Sequence, residues 1–209
     1  MIIDSKPFFQ YGKYKVKKKE KDDITRCKNN SEKKFGMMTS FGMVNKSDKS
    51  EIENFIAMHK KRWDGGPFND LHNFEYFIKE MINSDLVFLF KVQLNDSTNL
   101  AYHFLYKGSS QTLVSSIPTY NVNYKELSPG KVLLYEIIEY FEDKNILCFD
   151  FGRGAESYKY WFSDEVDLLF NVSNNIETDY EKFKKSLRIL IKKTIIRLKN
   201  LFIKKDDKR

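Results

Sequence analysis

Between residues 86 and 119 three strand-length runs succeed one another, 86–94, 100–106 and 111–119, separated only by Asn95-Asp96-Ser97-Thr98-Asn99 and by Gly108-Ser109-Ser110. Connections this short join antiparallel neighbours, so the three runs read as a meander. The next stretch has another character. A helical pattern at 130–141 carries Val132, Leu133, Ile137, Ile138 and Phe141, and the almost wholly apolar run Ile146-Leu147-Cys148-Phe149-Asp150-Phe151 comes after it. Strand, helix and buried strand in that order describe a parallel crossover. The sequence therefore predicts a mixed α/β chain of the α+β class, with a mostly antiparallel central sheet, one parallel crossover and flanking helices.

The flanking elements are read from the same two periods. A strand is predicted over 8–16, then a solvated, Lys-rich loop from Lys17 to Lys34. Residues 35–44 form a strand candidate. Residues 51–63 place Ile52, Phe55, Ile56, Met58 and Trp63 at helical spacing, with Ser47 or Ser50 as the expected cap and Asp64-Gly65-Gly66-Pro67 as the stop. A second helix is expected over 71–83, a loop over 120–127, a short helix over 155–162 and a last strand over 166–172. From Tyr180 to Arg209 the pattern is a basic amphipathic helix, suited to packing on its own domain or a partner, or to an anionic membrane surface. The expected organisation is an extension at 1–34, a domain at 35–178 and a terminal helix at 179–209.

Composition sets limits on function. With 41% hydrophobic and 15% aromatic residues the 209-residue chain can bury a substantial core. The net charge of +7 is concentrated in the two Lys-rich ends, which argues against a nucleic-acid face on the central fold and for anionic small ligands or surfaces. Cys27, Cys148, His59, His72 and His103 form no metal-ligand spacing, so no metal is expected; of the histidines, His103 on a central strand is a candidate base. No apolar run is long enough to span a bilayer, and the expected location is the cytoplasm, with peripheral contact at the membrane's inner face as the companion expectation.

Ser128-Pro129-Gly130-Lys131 opens the 130–141 helix, where backbone N–H groups lack partners and can meet a phosphate. A second turn, Gly152-Arg153-Gly154, comes after the buried strand and leads into Glu156-Ser157-Tyr158-Lys159.

Taken with Arg62-Trp63 and with Phe149-Asp150-Phe151, these motifs and the element order over 35–172 resemble the GNAT-type acetyltransferase domain associated with cellulose and surface-polysaccharide synthesis, itself a relative of Fem-type peptidoglycan aminoacyltransferases. The resemblance implies a GNAT-like acyl-CoA acyltransferase fold and transfer of an acyl group, acetyl from acetyl-CoA in the simplest case, to an amine or hydroxyl of a sugar or polymer precursor. It also implies CoA pyrophosphate contacts from Lys125, Ser128, Pro129, Gly130, Lys131 and Val132. Gly130 matches the last glycine of the family's turn, and Ser128 stands where an earlier glycine would be. Attack on a thioester needs an acid for the leaving thiolate and a stabiliser for the oxyanion. Tyr158 fits the first need, with Tyr160 as its rival, and Lys159 the second. Asp150 is a candidate base or orienter, or a residue that satisfies turn N–H groups. Arg153, Tyr160, Arg62 and Trp63 are candidate acceptor contacts. A homodimer or pairing with a second GNAT-like half is the expected completion of the cleft. Two further readings stay open: a non-catalytic docking role, and Fem-like aminoacyl transfer.

Overall fold

The computed structural model describes residues 2–13, 15–36, 39–63, 71–152, 156–163 and 165–170. In chain order the elements are β1 (Ile2–Gln10), α1 (Lys18–Phe35), β2 (Thr39–Met43), α2 (Lys49–Arg62), α3 (Leu71–Met81), β3 (Val87–Leu94), β4 (Asn99–Ser109), β5 (Thr112–Tyr120), α4 (Pro129–Phe141), β6 (Cys148–Asp150) and β7 (Glu165–Phe170), with 3-10 turns at Val122–Leu127 and Ser157–Trp161. The seven strands form one sheet in the order β2-β3-β4-β5-β6-β1-β7. Every neighbouring pair is antiparallel except β5 and β6, whose parallel register runs from Thr112↔Cys148 to Val114↔Asp150. The meander and the crossover through α4 are both present.

Strand alternation divides the sheet's side chains between two cores. Phe90, Val92 and Leu94 of β3, with Ala101 and Leu105 of β4, face α1 and α4. Val87 and Leu89, with Tyr102 and Phe104, face α2 and α3. Helix α4 supplies most of the first contact, burying Val132, Leu133, Leu134, Ile137, Ile138 and Phe141. Its start is defined by Ser128 in the left-handed region (φ 49) and by Pro129 at the first helical position, where a missing N–H costs nothing.

Three sequence expectations are corrected. The solvated loop at 17–34 is helix α1, which buries only Ile24, Cys27 and Ser31 and ends on Gly36 at φ 63, whose N–H reaches Glu32 O. Three buried positions in eighteen are too sparse to show as an apolar stripe. Helix α1 is instead held by charges on distant elements: Lys28 pairs with Glu136, Lys21 with Glu139 and Lys34 with Glu126. The first strand lies earlier than predicted, at Ile2–Gln10, and sits inside the sheet between β6 and β7. Residues 1–34 are thus not an extension beside the fold. Last, the cap of α2 is Asp48, whose carboxylate accepts from Glu51 N–H at 3.2 Å, rather than Ser47 or Ser50. The expected stop at 64–67 and the expected helix at 180–209 lie outside the described residues.

Candidate active site

The site begins where two parallel strands part. β6 stops at Asp150, opposite Val114, while β5 continues to Tyr120. Beyond that point β5 carries an irregularity, with Leu105↔Ser115 succeeded by Phe104↔Ile117, so that Ser116 is an extra residue in the strand. Pro118 has no N–H to give a neighbour, which suits a strand with an open edge. A cavity of about 1090 Å³ occupies this opening. It is walled by β5 from Thr112 to Pro118, by the end of α2, by Asp150 to Gly152, and by Glu156, Tyr158 and Lys159, with Lys6 of β1 at its side.

The turn after β6 explains its own residues. Gly152 has φ +71, and a Cβ there would stand 3.2 Å from Ser115 O, so both conformation and space favour glycine. Its N–H donates to Asp150 Oδ1 at 2.8 Å, while Asp150 Oδ2 meets Lys6 Nζ at 2.5 Å. Both carboxylate oxygens are engaged, and Asp150 is buried. Its hydrogen bond leads the causes that raise the Lys6 pKa above its ordinary value. Lys159, only 4% exposed, pairs with Glu156 at 2.8 Å and points toward Gly152 O at 3.5 Å. These two charged residues brace the turn.

Opposite them, the last turn of α2 presents Arg62. Its guanidinium lies 4.0 Å from the Tyr120 ring centre and 4.8 Å from that of Trp63, and it donates to Pro118 O at 3.2 Å. Trp63 stays 44% exposed at the cavity rim. Burial pushes the Tyr158 phenol up to about 12, with Glu156 adding to the effect and Arg62 opposing it. Tyr158 therefore keeps its proton across the neutral range. His59, one turn before Arg62, is held down to about 4 by burial and then by the Arg62 charge. His103 is buried on β4 with Nε2 2.8 Å from Ser115 Oγ, and burial alone holds it down to about 3.

The structure thus gathers Arg62, Trp63, Asp150, Tyr158 and Lys159 around one cavity. Tyr160 is half-buried and does not line it, and Arg153 lies outside the described residues. The predicted phosphate turn is elsewhere. Lys125 is exposed, Val132 is buried in the core, and Gly130 has room for a Cβ, its nearest neighbour being Tyr120 Cδ1 at 3.7 Å. Lys131 N–H and Val132 N–H both donate to Ser128 O. The Lys131 side chain, 9% exposed, pairs with Glu20 at 3.1 Å and with Asp23, and its ammonium lies 4.3 Å from the Trp161 ring centre. The donor set, an ammonium at a helix start, has the chemistry for a pyrophosphate. Here that ammonium is met by the carboxylates of α1.

Sequence reasoning missed Lys6, Ser115, Ser116 and Glu156 as cavity residues. A signal existed for two of them: Ser115-Ser116 interrupts an otherwise apolar strand two residues before a proline. Lys6 carries no comparable mark.

The α+β sheet, its single parallel crossover and the cavity beside it have counterparts among known proteins. Residues 19–160 match the family model described as acetyltransferase (GNAT) domain. The chain belongs to that family. Among solved structures it is similar to the C-terminal domain of an Agrobacterium fabrum protein provisionally described as a lysylphosphatidylglycerol synthetase, with TM-score 0.58, 10% identity, and coverage of 80% of this chain and 59% of that one. It is similar also to a conserved Bacteroides thetaiotaomicron protein of unknown function (TM-score 0.58, 11% identity, 81% and 61% covered) and to L-PGS from Bacillus licheniformis (0.52, 10%, 86% and 50%). The matched part spans between half and about three fifths of those chains. At such identities the likeness concerns the fold. No curated protein matches the sequence. Among the described residues no helix is long and apolar enough to cross a membrane, and no group of His, Cys, Asp or Glu is arranged to hold a metal ion.

Proposed function

We propose that the chain transfers an acyl group, acetyl in the simplest case, from acyl-CoA directly to an amine or hydroxyl of a sugar or surface-polymer precursor in the cavity. The observation that carries this reading is Tyr158: a phenol held protonated in the wall of a large opening where β5 and β6 part. A bound acyl-CoA supplies a thioester carbonyl. Beyond Val114, where its pairing with β6 ends, β5 runs beside that opening, and Tyr158 is the acid that returns a proton to a departing thiolate. Arg62 on its aromatic platform and exposed Trp63 give the acceptor a cation and a flat apolar face, the chemistry of an anionic sugar. Asp150 and Lys159 hold the turn that shapes the opening rather than reacting.

The test is acetyl-CoA turnover with a panel of amino sugars, uronic acids and sugar phosphates, product masses being read directly. Thermal shift with acetyl-CoA and CoA runs beside it. A melting temperature unmoved by either, together with no product, would sink the proposal. Phosphatidylglycerol belongs in the panel because a similar fold carries a lysylphosphatidylglycerol synthetase description. Acylated lipid with no acylated sugar would replace the sugar reading.

A further inference from the structure

Ser115 and His103 form a buried polar pair that the chemistry above leaves unused. We propose that the Ser115 hydroxyl is a catalytic hydrogen-bond donor to the acyl carbonyl oxygen, with His103 as the positioning residue that aims it. The inference rests on the acyl-transfer reading.

Ser115 stands at the right place. It is the first residue of β5 past the last β5–β6 pair, it begins the strand irregularity, and it lines the cavity while only 7% exposed. A reacting carbonyl lodged where the strands part lies beside it.

The 2.8 Å contact between His103 Nε2 and Ser115 Oγ can run either way, and a neutral ring serves both directions. Burial works against an imidazolium: His103 is 2% exposed, and desolvation is the single cause that lowers its pKa. A serine nucleophile that hands its proton to this ring is therefore disfavoured. In the direction the proposal takes, Nε2–H donates to Oγ, which leaves the hydroxyl proton for an oxygen in the cavity that Ser115 lines. No proton is transferred and no bond to Ser115 forms. The hydroxyl is a fixed dipole facing an oxygen that gains negative charge as the carbonyl becomes tetrahedral.

The test is steady-state kinetics with acetyl-CoA and glucosamine, with water as the background acceptor, for wild type and four variants. Ser115→Ala should lower kcat by about 100-fold with both KM values within about twofold, as for the loss of one oxyanion donor. His103→Gln keeps an N–H donor in the ring's place and should retain kcat within a few fold; His103→Leu should fall as far as Ser115→Ala. The His103→Leu/Ser115→Ala double variant should fall no further than either single, since the two act as one unit. Melting curves verify folding. Should a His103 variant not fold, Ser115→Ala, which removes one oxygen, still decides. A Ser115→Ala enzyme with near-wild-type kcat overturns the proposal. So does an acetyl ester on Ser115, found by peptide mass mapping after incubation with acetyl-CoA alone, since that product belongs to a serine nucleophile. A wild type that neither binds acetyl-CoA nor turns it over brings down the acyl-transfer reading itself, and this inference with it, a result distinct from either of the others.

Discussion

The start of α4 and the end of α2 both present a cation beside an aromatic ring, and they use it in opposite ways. At α4, Lys131 is enclosed by Glu20, Asp23 and Trp161. At the cavity, Arg62 stacks on Tyr120 and Trp63 and meets no carboxylate among the described residues. A lysine is a compact charge that wants anionic oxygens, and α1 provides them. A guanidinium is planar, weakly hydrated and content on a ring, so its charge remains available to a ligand. The difference teaches that a helix start with the right residues is not by itself an open anion site. What its neighbours bring to it decides.

The contrast is most easily broken on the cavity side, at Tyr158. Tyr158→Phe should lower kcat by about 100- to 1,000-fold, the range of a lost general acid, with little change in donor KM. Because the phenol titrates only near 12, the wild-type rate should show no loss from this group through about pH 10, two units lower, and a rate profile over the neutral-to-alkaline range checks it. Next comes the brace. Asp150→Ala leaves Lys6 and the Gly152 N–H without their partner and should cost about 3 kcal/mol in urea unfolding; Asp150→Asn, which retains an acceptor, should cost less.

Two smaller effects sharpen the α4 side. Glu20→Gln with Asp23→Asn frees Lys131 and should tighten CoA binding by about fivefold in calorimetry, equivalent to ~1 kcal/mol of lost competition. Gly130→Glu places a carboxylate at the same turn and should erase the acetyl-CoA thermal shift. If the double variant binds CoA no better than wild type, the α1 carboxylates are not competing with it. Smallest is a pH effect. His59 and His103 are depressed to about 4 and 3, below the 6.5 of an unfolded chain, so the unfolded state takes up protons first as pH falls. Stability is whole above about pH 7.5, one unit above the unfolded value, and declines below it. Between about pH 7.5 and 6.5 the melting temperature should drop by about 2 °C, and His103→Gln should reduce that slope.

Much of the fold was legible because its signals are local. Turn residues between 94 and 100 and between 106 and 111 forced antiparallel neighbours, and the apolar period of α4 forced a crossover. Helix α1 was not legible, since its few buried positions are spread thinly and its ion pairs join residues about a hundred positions apart in sequence. The cavity was half legible. Arg62, Trp63, Asp150, Tyr158 and Lys159 stand in recognisable motifs, whereas Lys6 and Ser115 become neighbours of the site only through strand pairing.

What the sequence determined by itself was the period of each element, the short connections between strands and the glycine at position 152. These arise from backbone sterics and hydrophobic alternation, which act over a few residues. The tertiary structure alone decided which charges meet. It set the Asp150 carboxylate against Lys6 and Gly152 N–H, the turn-satisfying alternative among its readings, brought the carboxylates of α1 to the α4 turn, and put His103 against Ser115. Such outcomes depend on distances across the sheet and on how deeply each group is withdrawn from water. The electrostatic energy of a side chain is set by those two quantities, and neither is written in the order of residues along the chain.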